Sequence, residues 1–127
     1  MDKIIQDKFK LQPETIDNVT EETRGNLAAV GIDSKDALRL TLFLEESMLK
    51  YRDAFSEDAE ASVRMSRFFG AIRVSLRVRG DSLDPFAADE SDVSVMGSLM
   101  ANTKTLDMAW RYRGGANYVT FTIQKKR

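Results

Sequence analysis

Neither cysteine nor histidine occurs in the 127 residues, and together the two absences remove a large part of protein chemistry. Without cysteine there is no disulfide, no thiolate nucleophile and no thiolate metal site, and a reducing compartment is permitted. Without histidine there is no phosphohistidine acceptor, no imidazole general base and no imidazole zinc ligand. Any catalysis has to run on carboxylates, lysines or hydroxyls. Long apolar runs are missing too: nothing approaches the ~18 consecutive apolar residues of a membrane span. The opening Met1-Asp2-Lys3-Ile4-Ile5-Gln6-Asp7 is acidic and mixed, unlike a secretory signal. The net charge of −1 argues against nucleic-acid binding by bulk electrostatics. There is no repeat, low-complexity tract or Pro/Gly/Ser linker. The paired carboxylates lack the spacing of a calcium loop, so no metal site is expected.

What remains is an ordinary globular composition, 43% hydrophobic and 31% charged, which fits one domain over residues 1–127. Charge is segregated along the chain. Arg64, Arg67, Arg73, Arg77 and Arg79 fall between Ala61 and Gly80 without an acid. Asp81, Asp84, Asp89, Glu90 and Asp92 follow without a base, and the chain ends on Lys125-Lys126-Arg127.

Residues Lys3 to Leu11 predict an edge strand with Ile5, Phe9 and Leu11 on one face, interrupted by Asp7. Pro13 suits a first helical turn, and Glu14 and Asp17 complement its dipole. Ile16, Val19, Thr23, Leu27 and Val30 then recur at helical spacing until Gly31. A second helix is expected from an Asp33 N-cap to about Phe55, with Asp36 in a weak capping box. It carries two apolar stripes, Leu38, Leu42 and Leu49 on one and Leu40, Leu44, Met48 and Tyr51 on the next, and is expected to be largely buried.

The period then switches from 3.6 to 2. Val63 and Met65 alternate with Arg64 and Ser66, and Phe69-Gly70 turns the chain. Ile72, Val74, Leu76 and Val78 then alternate with Arg73, Ser75, Arg77 and Arg79, which predicts a half-buried hairpin with an arginine-lined outer face. A loop from Gly80 to Asp92 and a short helix around Val93 to Asn102 follow. Leu106–Arg113 and Ala116–Lys125 flank Gly114-Gly115, a strong hairpin signal. Helices grouped ahead of antiparallel strands argue for an α+β two-layer sandwich, a mixed, mostly antiparallel sheet with helices on one face. Trp110 and the other aromatics read as core.

This order, with three local stretches, resembles the GHKL ATPase family (the Bergerat, histidine-kinase-like fold), and especially its anti-sigma-factor kinase branch. Leu40 to Lys50 is similar to the N-box helix, Val78 to Pro85 to the D-x-G-x-G box, and Trp110 to Phe121 with Gly114-Gly115-Ala116-Asn117 to the closing hairpin. The resemblance implies an ATP pocket lined by Glu46, Lys50, Val78, Gly80, Ser82 and Asp84, but several of these depart from the family pattern. Lys50 stands at the asparagine that gives Mg²⁺ an oxygen; an ammonium has no lone pair to offer. Val78 stands at the aspartate that accepts from the adenine amino group, and Ser82 replaces a glycine. No catalytic residue and no cofactor is therefore expected: the resemblance points to a degenerate, non-catalytic domain.

A narrower series, Leu-Glu-Glu, Arg-Phe-Phe-Gly, Val-Arg-Gly, Asp-Pro-Phe, Leu-Met-Ala and Tyr-Arg-Gly-Gly-Ala-Asn, is similar to a degenerate GHKL domain of certain bacterial cation:dicarboxylate symporters. That implies a regulatory or interaction domain at the cytoplasmic face of the cell membrane. Its partner would be the transmembrane part of its own parent protein, with Lys125-Lys126-Arg127 suited to the approach of a first membrane helix. The chain itself is not expected to insert. A homodimer, an ATP-binding anti-sigma-type serine kinase and a small-molecule sensor that reuses the cleft are the alternatives.

Two local questions stay open at this level. Glu46 and Lys50 read as an i,i+4 ion pair, as a lysine that holds an anion in place of Mg²⁺, or as remnants of a pocket filled by side chains. Arg64, Arg73, Arg77 and Arg79 read as a solvated sheet face or as a docking surface for an acidic partner, the acidic loop from Asp81 being a rival partner within the chain.

Overall fold

The computed structural model describes residues 2–87 and 106–124, apart from the side chain of Phe68. The helix expected at Val93–Asn102, the acids Asp89, Glu90 and Asp92, and the basic triplet Lys125-Lys126-Arg127 lie outside the described residues.

Seven elements follow in the order β1 (Asp2–Lys10), α1 (Pro13–Ala29), α2 (Ser34–Ala54), β2 (Glu60–Phe68), β3 (Ala71–Arg79), β4 (Leu106–Arg113) and β5 (Ala116–Gln124). The strands form one sheet, ordered β1-β2-β3-β5-β4. Every pairing in it is antiparallel, so the sheet is not mixed among the described residues. The fold is the expected α+β sandwich, with both helices against one face of the sheet.

Pro13 opens α1, and Gly31 closes it through a Schellman arrangement. The Gly31 N–H donates to Ala28 and the Ile32 N–H to Leu27. That geometry needs the positive φ of 89° that Gly31 adopts without a Cβ clash. Ile32 and Leu27 are both buried and complete the apolar contact of the motif. Along α1, Ile16, Val19, Thr23 and Leu27 face inward. The Thr23 hydroxyl is satisfied by Val19 O at 2.7 Å.

In α2 only one of the two apolar stripes is fully buried, and Leu49 of the other is half-buried against the core. Leu40, Phe43, Leu44, Met48 and Tyr51 have no exposed surface, whereas Leu38 and Leu42 are 43% and 39% exposed. A helix lying on a sheet has one inner face, so adjacent stripes cannot both be covered. Each fully buried member contributes about 1.5–3 kcal/mol of apolar transfer. Asp33 does occupy the N-cap position and its carbonyl accepts from Ala37, but its side chain makes no capping bond.

The inner face of the sheet is Ala61, Val63 and Met65 on β2, Ile72, Val74, Leu76 and Val78 on β3, and Val119, Phe121 and Ile123 on β5, all buried. Phe69-Gly70 and Gly114-Gly115 join the hairpins where expected. On β1, Ile5 and Phe9 are buried as their spacing predicts. The interruption at Asp7 is structural: the register slips between Ile4 and Gln6 and again between Gln6 and Phe9. Lys8 takes a φ of +49° beside the second slip. These bulges turn Asp7 outward, where its carboxylate accepts from Ser62 Oγ at 2.7 Å.

Candidate functional site

The cleft implied by the sequence lies where α2 faces the segment following β3. That segment, residues 80–87, does not stand away from the helix. Lys50 Nζ donates to the Pro85 carbonyl at 3.0 Å, and one residue further along α2 the Tyr51 hydroxyl donates to Leu83 O at 2.8 Å. Pro85 is buried, and the Phe86 ring meets Phe121 of β5 edge to face at 6.4 Å. Asp84 stabilises the turn itself by accepting from the Phe86 N–H at 2.9 Å.

The other side of the segment is held by Asn117, a completely buried amide on β5 opposite Val78. Its Oδ1 accepts from the Leu83 N–H at 2.9 Å and from Trp110 Nε1 at 3.0 Å. Its Nδ2 donates to Asp81 O at 2.8 Å and, more weakly, to Val78 O at 3.4 Å. Backbone N–H and indole N–H only donate and carbonyls only accept, so the amide has one consistent orientation and all four of its hydrogen-bonding sites are used. The β4–β5 hairpin also fastens Gly80, whose N–H donates to Gly115 O at 3.1 Å and whose carbonyl accepts from the Tyr112 hydroxyl at 2.9 Å. Gly80 is obligatory twice over: its φ is +144°, and a Cβ there would lie 2.9 Å from the Phe55 ring.

Burial pushes the Tyr51 hydroxyl's pKa well above its ordinary range, and the nearby Asp84 carboxylate adds to the shift. Tyr51 therefore stays a neutral donor at physiological pH, which suits its role of holding a carbonyl.

The six positions implied by resemblance thus fall around one place. Glu46 and Lys50 are half-buried on α2. They do not pair with each other, because the Lys50 ammonium is drawn to Pro85 O. Val78 is fully buried in the core, Gly80 is locked under Phe55, Ser82 is exposed, and Asp84 caps its own turn. Among the described residues, a shallow depression of about 420 Å³ is bordered by Lys50, Asp53, Leu83, Asp84, Pro85 and Ala87. Its residues do not fit Mg-ATP. The Lys50 ammonium provides no oxygen for a metal, and the segment over α2 is bonded down on both sides. Among the described residues no three acidic side chains converge as a metal site would require.

The second group, Arg64, Arg73, Arg77 and Arg79, lies on the outer face of the sheet as the alternation predicts. Arg79 forms an exposed ion pair with Glu60 at 3.6 Å, and Arg73 Nε donates to Thr122 Oγ1 at 3.4 Å. Within the acidic stretch, Asp81 is exposed and Asp84 is turned to its own loop, so neither meets these arginines.

Asn117 was visible in the sequence only as part of the hairpin signature, and Tyr51 only as a core residue. A polar amide at the inward phase of an alternating strand, two residues before Val119, is the signal that marks Asn117. An inward amide must find partners, and here it fixes the 80–87 segment.

No family model matches the chain, and no curated protein matches it. Among solved structures it is similar to the catalytic domain of the histidine kinase ThkA in a nucleotide-free form. The TM-score is 0.57 and the sequence identity 15%, over 97% of this chain and 96% of that one. Identity this low speaks for the fold alone, and on that evidence the chain has the α+β fold of a histidine-kinase catalytic domain.

Proposed function

We propose that this chain is a non-catalytic regulatory or interaction domain built on a histidine-kinase-type fold, with the nucleotide cleft closed by its own loop. The carrying observation is the fastening of residues 80–87 from both sides, by Lys50 and Tyr51 of α2 and by Asn117 of β5. A pocket that must admit a nucleotide gains from groups that point into it and stay free. Here the Lys50 ammonium, the Tyr51 hydroxyl and the Asn117 amide nitrogen are spent on backbone carbonyls of the covering segment.

The motif series that is similar to symporter-attached domains supports a further step. The domain would serve as a cytoplasmic part of a cation:dicarboxylate symporter, with the transmembrane part of the parent protein as partner. No helix among the described residues is long and apolar enough to cross a membrane.

Isothermal titration calorimetry with ATP and ADP, with and without Mg²⁺, tests the central claim. The expected result is no Mg²⁺-dependent binding tighter than about 100 μM, equivalent to about −5.5 kcal/mol. Mg²⁺-dependent binding above that strength would favour the anti-sigma-type kinase reading instead.

A further inference from the structure

The outer face of the sheet carries a pattern that the closed cleft does not account for. On β2 the outward residues run Ser62, Arg64, Ser66, and on β3, antiparallel to it, Arg77, Ser75, Arg73. The register places Ser62 opposite Arg77, Arg64 opposite Ser75, and Ser66 opposite Arg73. Every arginine therefore faces a serine, and the arginines meet only on diagonals, about 7–8 Å between backbones and within reach of long side chains. Small residues set among long ones leave depressions. Two adjoin here, of about 470 and 290 Å³, and both are lined by Arg64 and Ser75.

Among the described residues that line these depressions, positive side chains outnumber carboxylates. Lys3, Arg64, Arg73 and Arg77 line them against two carboxylates, Asp2 and Asp7. The Asp7 carboxyl is held below its ordinary pKa, chiefly by the hydrogen bond from Ser62, so it stays ionised and is already partly engaged. Arg77 adds an independent sign: its Nε is buried and has no hydrogen-bond partner among the described residues, although a guanidinium edge is a pair of donors made for an oxyanion. Across from Arg77, Tyr118 of β5 brings a further hydroxyl to the smaller depression.

We propose that this face holds a binding site for a phosphate-type oxyanion, seated over Ser75 between Arg64 and Arg77, with Arg73 at its far side. Arginines from two neighbouring strands that border the same depressions as one serine suit a tetrahedral dianion, which offers oxygens on several sides. A planar carboxylate matches one guanidinium fork at a time. The ligand is a free phosphate or a small phosphate monoester, since the depressions are shallow and, among the described residues that line them, Tyr118 is the one aromatic. The site does not depend on the reading of the cleft and lies on the opposite face of the sheet.

Amide-resolved NMR titration of the whole chain with sodium phosphate at low ionic strength, against sodium chloride at matched ionic strength, tests it. Parallel arms use phenyl phosphate and succinate. Saturable shifts are expected at Ser62, Ser75 and Arg77 with both phosphates, weaker with succinate. Arg77→Gln should weaken phosphate binding about tenfold, Arg77→Lys less, and Asp7→Asn should strengthen it about threefold, because one removes an attracting charge and the other a repelling one. Thermal unfolding of each variant verifies that it is folded. Non-saturating shifts that chloride reproduces would overturn the proposal, as would an Arg77→Gln variant with unchanged affinity or an Asp7→Asn variant with reduced affinity. Equal binding of succinate would overturn the tetrahedral assignment. ATP captured here would lose its binding in Arg77→Gln without regard to Mg²⁺, which separates this site from any nucleotide in the cleft.

Discussion

Replacing Asn117 with alanine removes four hydrogen bonds at once, and their settings determine the expected loss. The weakest of them, to Val78 O at 3.4 Å, is the one wholly enclosed; those to Leu83, Asp81 and Trp110 are partly reached by solvent. A typical internal hydrogen bond contributes about 0.5–1.5 kcal/mol net, and an enclosed partner left alone costs about 1–3 kcal/mol. Water entering the vacated space can serve some of the stranded groups, so the sum falls short of the full penalty. The expected destabilisation is about 2–4 kcal/mol, or on the order of 10 °C in Tm for a domain of this size. Urea unfolding is the assay, followed by the fluorescence of the single tryptophan, Trp110, whose indole N–H bonds to the mutated side chain. The midpoint should fall with little change in slope, and native emission should shift to the red as the indole loses its partner. Asn117→Asp is the companion: it sets a carboxylate oxygen against the Val78 and Asp81 carbonyls. Its folded-state pKa must rise, so the damage should be small below about pH 4 and grow as the pH rises through the raised value. A loss under about 1 kcal/mol for Asn117→Ala would refute the role given to this amide.

The Tyr51 hydroxyl donates to Leu83 O only while protonated, and its folded pKa is raised above the ordinary 10.0. The contribution is therefore complete below about pH 10 and is lost as the pH climbs toward the raised value. Tyr51→Phe should cost about 1 kcal/mol at neutral pH and flatten that alkaline decline in unfolding profiles. Phe69 is 94% exposed at a φ of +48°, in a two-residue hairpin turn where asparagine and glycine are the favoured residues. Phe69→Asn should raise stability by about 0.5–1 kcal/mol, measured as a higher thermal midpoint; a lower midpoint would mean that what the ring contributes outweighs the strain of its backbone.

Much of this architecture is legible from alternation and turn chemistry. The β2–β3 and β4–β5 hairpins follow from strict period-two patterns around two-residue turns, and both appear where the residues place them. The helical stripes were harder. Leu38 and Leu42 read like core because spacing alone cannot say which of two adjacent apolar faces meets the sheet, and the sheet selected the Leu40–Leu44–Met48 face. Asp7 in the midst of an inward pattern signalled something irregular, but bulges depend on tertiary pairing and leave no local mark of their own. At the cleft, Lys50 could be recognised as unable to bind a metal. That its ammonium reaches a carbonyl 35 residues away could not be read, because a contact across that separation depends on the path of the 80–87 segment. The weight of Asn117 is hidden for the same reason: its four partners come from two stretches of chain, 78–83 and β4, both remote from it in sequence or reached only through the fold.

The placement of β1 also bears on how the chain acquires its shape. Its partners on β2 lie between 50 residues away, for Lys10 and Glu60, and 64 residues away, for Asp2 and Ser66. During synthesis α1 and α2 leave the ribosome with no sheet to cover, so the apolar face of α2 has only α1 to shield it until residue 60 and beyond have emerged. Ribosomes add about 5–20 residues per second, which leaves that face waiting for seconds. The local β2–β3 hairpin supplies the first platform, and β1 then closes a loop that holds both helices, the step with the largest entropic cost. Nascent chains stalled before β2 should therefore be the ones most prone to recruit chaperones.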